Sequence, residues 1–142
     1  MSASTVISDI RAAFEVALSG VPLNIEIAWE NVEYDLKDFP IDKEFLRPSL
    51  LYSRGEVLTI NDGRPVRMYQ GFYQVDILIP LGRGMDRLNA ISNAVTNLFA
   101  DTSRLEFNNT LVHIRPITPG LVRSENARLS TFIEIGFVCY DN

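Results

Sequence analysis

From Arg128 to Tyr140 the chain alternates Leu129, Thr131, Ile133, Ile135, Phe137 and Cys139 against Ser130, Phe132, Glu134, Gly136, Val138 and Tyr140. Such a period of two belongs to an extended strand, whose successive side chains point to opposite faces. The first set is almost wholly apolar and must face a core. A run this long is expected in the middle of a sheet. The second set is mixed, because Phe132, Val138 and Tyr140 place apolar surface on the other face as well. Part of that face is therefore expected to be covered.

Two segments have the helical period instead. Ser4 or Thr5 is placed to cap a helix whose face is Ile7, Ile10, Phe14, Ala17 and Leu18, with Asp9 in its early turns and Gly20 and Pro22 as its stop. Gly82-Arg83-Gly84 leads into a second helix, opened by Asp86, with Leu88, Ile91, Val95, Leu98 and Phe99 on one side. Both helices are predicted to pack on the sheet face bearing Ile133, Ile135 and Phe137. The remaining elements read as strands and loops. Asn24 to Trp29 alternates, Glu30 to Glu44 is an acidic, solvated loop, and Phe45 to Tyr52 is a strand that Pro48 confines to an edge or a bulge. Ser53 to Pro65 is a long hairpin with Asn61-Asp62-Gly63 at its polar tip, and Val66 to Pro80 returns from it with Gly71 as the expected bulge. Leu105 to Phe107, Asn108-Asn109 and Leu111 to Ile117 form another hairpin, with Pro116 near its end. A second long loop, Thr118 to Ala127, precedes the last strand.

The expected class is α+β: a mainly antiparallel sheet of about six strands with two helices packed on one face. Its 142 residues, 46% hydrophobic and 22% charged, suit one domain over 1–142. The lone Cys139 has no partner for a disulfide. Met1-Ser2-Ala3-Ser4-Thr5 carries no basic run leading into an apolar core, and no window reaches the ~20 apolar residues of a bilayer span. A cytosolic protein with no membrane partner is expected.

Catalytic patterns are missing from the sequence. His113 is the single histidine and sits inside a predicted strand, where a structural or surface role is the ordinary one. Cys139 lies on the apolar face of its strand, the setting of an inert thiol. One His and one Cys do not make a zinc site, and the Glu30 to Glu44 carboxylates lack calcium-loop spacing. Gly82-x-Gly84 has Arg87 at the third glycine position of a dinucleotide fingerprint, so it reads as a helix-entry turn. No enzyme activity, cofactor or metal is expected. A net charge of −5 has the wrong sign for gripping nucleic acid. The acidity is local: residues 1–44 hold nine acids and three bases, and residues 45–142 nine acids and ten bases.

The two long polar loops are the expected protein-interaction sites, because they mix arginines with acids and amides. The candidates are Arg54, Glu56, Asn61, Asp62 and Arg64 in the first, and Arg123, Glu125, Asn126 and Arg128 in or beside the second. The bland alternative is a solvated surface.

The run Ile27-Ala28-Trp29-Glu30-Asn31-Val32, an arginine-bearing turn, Tyr69-Gln70-Gly71-Phe72-Tyr73-Gln74-Val75-Asp76-Ile77 and Pro80-x-Gly82-x-Gly84 before a helix resemble the tail terminator proteins of long-tailed bacteriophages and prophages. The order of elements agrees over almost the whole chain. The resemblance implies a structural virion protein at the head-proximal end of the tail, assembled in the host cytoplasm. It implies a self-assembled ring, usually a homohexamer, that binds the last ring of tail tube protein and ends its polymerisation. The ring would form the tail side of the head–tail junction against a connector or stopper protein, and DNA would pass through it without specific binding. A head-completion or neck protein, and a small-molecule-binding α+β domain, are the alternative readings.

Overall fold

The computed structural model describes residues 3–30, 43–53, 56–61, 64–100, 102–125 and 127–141. Two helices cover one face of a curled, mostly antiparallel sheet, giving an α+β fold with a half-barrel sheet. The elements run α1 (Ala3–Leu18), β1 (Glu26–Ile27), β2 (Phe45–Tyr52), β3 (Glu56–Asn61), β4 (Arg64–Pro80), α2 (Met85–Ala100), β5 (Arg104–Phe107), β6 (Thr110–Pro119), β7 (Arg123–Glu125) and β8 (Arg128–Asp141). The main path across the sheet is β1-β2-β4-β8-β6-β5, and the shorter β3 and β7 add to β4 and β8.

The last strand is central, as its alternation requires. It pairs with β4 from Arg67↔Asp141 to Pro80↔Arg128 without a slip. Tyr69, Tyr73, Val75, Ile77 and Ile79 of β4 and Ile133, Ile135, Phe137 and Cys139 of β8 are buried beneath the helices. The helices contribute Val6, Ile7, Ile10, Ala13, Phe14 and Leu18 from α1 and Leu88, Ile91, Val95 and Phe99 from α2, with Ala17 and Leu98 partly buried against them. At the centre the Phe14 ring stacks on Tyr73 at 4.5 Å between centroids and meets Phe137 edge-on at 5.6 Å. Phe99 closes the group at 5.9 Å. Four elements thus meet on one ring, in the offset and edge arrangements that aromatic quadrupoles favour.

Several sequence expectations change in detail. The first helix opens at Ala3, which places Ser4 and Thr5 within its first turn rather than ahead of it. Asp9 does not face solvent at a helix end. It is 4% exposed and accepts hydrogen bonds from Thr110 Oγ1 at 2.9 Å and Asn108 Nδ2 at 3.3 Å, so it docks α1 onto the β5–β6 hairpin. Asn108 and Asn109 at that hairpin have φ of 49° and 64°, the left-handed pair a tight two-residue turn needs. The Asn24 to Trp29 strand shrinks to Glu26–Ile27, which pairs with β2 in parallel. The long return strand begins at Arg64 rather than Val66.

Gly71 is not a bulge. The β4–β8 register passes through it unbroken, and the β2–β4 register runs without a shift up to its last pair, Tyr52↔Gly71. A Cβ there would overlap the Leu51 carbonyl oxygen and stand 2.7 Å from Tyr52 Cα, so the residue is glycine because β2 comes too close for a side chain. The registers shift elsewhere: between Val57 and Thr59 of β3, and in β6, where Arg115 and Pro116 fall between the pairs Ile114↔Phe137 and Ile117↔Ile135. Gly136 lies opposite, and a Cβ on it would meet Arg115 Cβ at 3.1 Å and the Pro116 carbonyl at 3.2 Å. Gly82 and Gly84, with φ of 90° and 85°, make the turn from β4 into α2.

Pro48 does sit on an edge. Leu46 accepts the Ala28 N–H at 2.7 Å on the side away from β4, and Leu50 N–H points the same way, donating to Glu30 Oε1 at 2.6 Å. Pro48, between them, shares that orientation, so its missing N–H falls on the outer edge and costs β4 nothing. The acids bounding the expected solvated loop are also held. Glu30 accepts from Arg11 as well, and Glu44 accepts from Arg87 Nε at 2.9 Å and Nη2 at 2.7 Å, tying the start of β2 to the first turn of α2. Of that loop, residues 31–42 lie outside the described residues.

Candidate assembly surface

The two candidate loops are strands with short turns, and they stand at opposite ends of one rail. The first is the β3–β4 hairpin, which pairs Glu56↔Met68, Val57↔Arg67, Thr59↔Val66, Ile60↔Pro65 and Asn61↔Arg64. It therefore brings Glu56, Asn61 and Arg64 onto one ladder, whereas Arg54 and Asp62 lie outside the described residues. The second expectation, a free loop over Thr118 to Ala127, is replaced by β6 running on to Pro119 and by β7 pairing with β8. Arg123↔Ser130 and Glu125↔Arg128 are register pairs there, and Asn126 lies outside the described residues. Backbone pairing explains the difference, because a segment whose N–H and C=O groups find a neighbouring strand does not remain a loop. Since β4 spans Arg64 to Pro80 and β8 starts beside Pro80, the two hairpins are separated by up to roughly 50 Å at about 3.3 Å per residue.

The charged candidates differ in how they are held. Arg128 is half-buried, with its guanidinium 4.8 Å from the centroid of the Phe45 ring, a cation–π geometry that holds it to its own chain. Arg123 is exposed and has no ion pair among the described residues.

Composition drew attention to the arginines and away from the apolar residues between them. In the turn from β6 to β7, Leu121 is 78% exposed and Val122 45%. The turn is firmly seated: Gly120 N–H donates to the Phe132 carbonyl at 2.7 Å, and Thr131 Oγ1 donates to the Gly120 carbonyl at 3.2 Å. Gly120 lies so close over Phe132 that a Cβ would come 2.5 Å from its Cδ1. This is part of the cover expected over the outer apolar residues; Val138 is buried as well, at 4% exposure, whereas Tyr140 is 46% exposed. Beside Gly71 and Gly136 the surface is open. Leu51, Tyr52 and Phe72, about half exposed, line a shallow groove of about 650 Å³ together with Gly71, Gly136 and Arg115. Exposed large apolar side chains gathered on one face mark interaction surfaces more often than singly scattered ones do.

A catalytic or ligand-binding reading gains little from the geometry. The hollow of about 530 Å³ at the entry to α2 is lined by charges paired with one another, Lys43 with Glu26 and Arg83 and Arg87 with Glu44. His113 stands with its ring 6.2 Å from Tyr140 on the outer face, and no metal-binding cluster occurs among the described residues. Cys139 is fully buried, and burial, helped by the charges of Asp141 and Asp9, pushes its thiol up to about 11. A thiol so held is a poor nucleophile at neutral pH. Among the described residues no helix is long and apolar enough to cross a membrane.

The family model described as "Phage tail terminator protein" matches residues 9–136. No curated protein matches. A solved structure with 19% sequence identity superposes with a TM-score of 0.71, covering 100% of this chain and 98% of that one, and so shares the fold.

Proposed function

Because the chain belongs to the phage tail terminator family and so is a structural phage tail protein, we propose that it caps the head-proximal end of the tail tube as a ring. The ring, a homohexamer on this reading, ends polymerisation of the tube protein and forms the tail side of the head–tail junction. One structural observation supports it above the others: the β4–β8 rail carries a hairpin at each end. A cap at a junction must meet two different neighbours, the last tube ring and a connector or stopper protein. A stiff subunit with dissimilar ends gives each neighbour its own surface. The net charge of −5 suits a channel through which DNA slides, since like charge opposes phosphate contacts.

Deletion of the gene tests the reading. Lysates are expected to hold overlong tails without heads. Tails of normal length beside unjoined, DNA-leaking heads would assign the protein to the neck instead, and normal infectious particles would reject a structural role at the junction. At the subunit level, charge reversal at Arg123 and at Arg64 should each impair tail completion while leaving the fold intact. Normal particle yield from both variants would make the two hairpins merely solvated surface.

A further inference from the structure

Resting on the ring reading, we infer that successive subunits join head to tail by seating the Leu121–Val122 turn of one copy in the Leu51/Tyr52/Phe72 groove of the next. The turn is an apolar knob that its own chain leaves in water, although hydrogen bonds at Gly120 and the pairing of Arg123 with Ser130 fix its position. A side chain held this way loses little conformational freedom on docking, which lowers the entropic cost of association. The groove is its counterpart: Leu51 and Phe72 stand on the face opposite the helices over Gly136, and half-exposed Tyr52 and Gly71 close it at the end of β2.

Charge fixes the pairing. Arg123 directly follows the knob, and Glu134 lies two residues from Gly136 on the same face of β8. Neither has an ion pair among the described residues. Docking the knob in the groove brings this free cation toward this free carboxylate, which favours a second copy of the chain over an uncharged occupant.

The β2 edge beside the groove disfavours the simplest other mode, addition of a partner strand. Pro48 lacks the donor there, and Leu50 N–H is occupied by Glu30. Side chains are therefore left to make the contact. Knob and groove share no residue, so the interface is heterologous, the kind that propagates around an axis and closes into a ring when the rotation permits.

Cysteine cross-linking tests the contact. Leu121→Cys and Phe72→Cys proteins, each keeping the buried Cys139, are mixed at ring-forming concentration, with and without tail tubes, and treated with a short bismaleimide. Cross-linked dimers are expected from the unlike mixture and from neither protein alone. Leu121→Asp should abolish rings with an unchanged melting temperature. Arg123→Glu and Glu134→Arg should each weaken assembly roughly tenfold, and combining them should restore it. Rings that form normally from Leu121→Asp and Phe72→Asp proteins would overturn the knob and groove but leave the ring reading standing. Phe72→Cys cross-linked only to itself or to tube protein would also overturn this contact. Wild-type protein that stays monomeric at every concentration and on tube ends would overturn the ring reading as well.

Discussion

Along β4, neighbouring residues have opposite fates. Tyr73 is 1% exposed beneath α1 and α2, while Phe72, the next residue toward the N-terminus, is 45% exposed on the face the helices do not cover. The same contrast crosses the sheet, where the register pairs Tyr73↔Ile135 and Leu50↔Tyr73 lie in the core and Leu51↔Phe72 lies in the open groove. A chain that needed its sheet only for stability would place polar side chains on the open face, as exposed antiparallel sheets commonly do. Large apolar residues on both faces fit the proposed division, in which the inner face serves folding and the outer face serves contact with another copy of the chain.

Substitutions across this divide should separate folding from assembly. The largest effect is expected from Phe14→Ala, which removes the ring stacked on Tyr73 and opens a cavity at the meeting point of four elements. A loss of about 3–5 kcal/mol should appear in urea unfolding. A loss below about 1 kcal/mol would mean that the site collapses freely and that the inner face is not tightly packed. Gly71→Ala acts between the faces by forcing β2 away from β4, and should cost about 1–3 kcal/mol or more. Hydrogen exchange should show the loss concentrated in β2. Asp9→Ala leaves Thr110 and Asn108 without their acceptor and should cost about 1–3 kcal/mol, with faster exchange in the β5–β6 hairpin. The smallest effect on stability belongs to Phe72→Ala, within about 0.5 kcal/mol for the monomer. If this outer-face variant unfolded as easily as Phe14→Ala, the division of labour between the faces would be wrong.

What the sequence made legible is what depends on near neighbours. The period of two from Arg128 to Tyr140, the helical faces through Phe14 and Val95, the Asn108-Asn109 turn and the edge position of Pro48 all follow from local spacing or local chemistry, and the structure has each of them. Properties set by distant segments were hidden. Gly71 resembles a bulge until the path of β2 beside it is known. Asp9 resembles a helix-dipole residue until Thr110 is placed against it. The Thr118 to Ala127 segment resembles a loop because its pairing partner, the start of β8, leaves no periodic mark on so short a strand. The candidate site suffered most, since a search for charge overlooks Leu121 and Val122, whose importance lies in exposure that no local pattern records.

The clasp between Asp9 and the β5–β6 turn also sets an order of events during synthesis. Its hydrogen bonds span 99 and 101 residues, and the ring that Phe14 meets edge-on belongs to Phe137. Made before the strands it packs on, α1 has no surface to dock on until β6 and β8 have followed, and a lone helix of 16 residues is only marginally stable in water. A nascent or truncated subunit therefore lacks its closed core. Competence to join an assembly arrives late and all at once, so incomplete chains are kept from occupying a place in the particle.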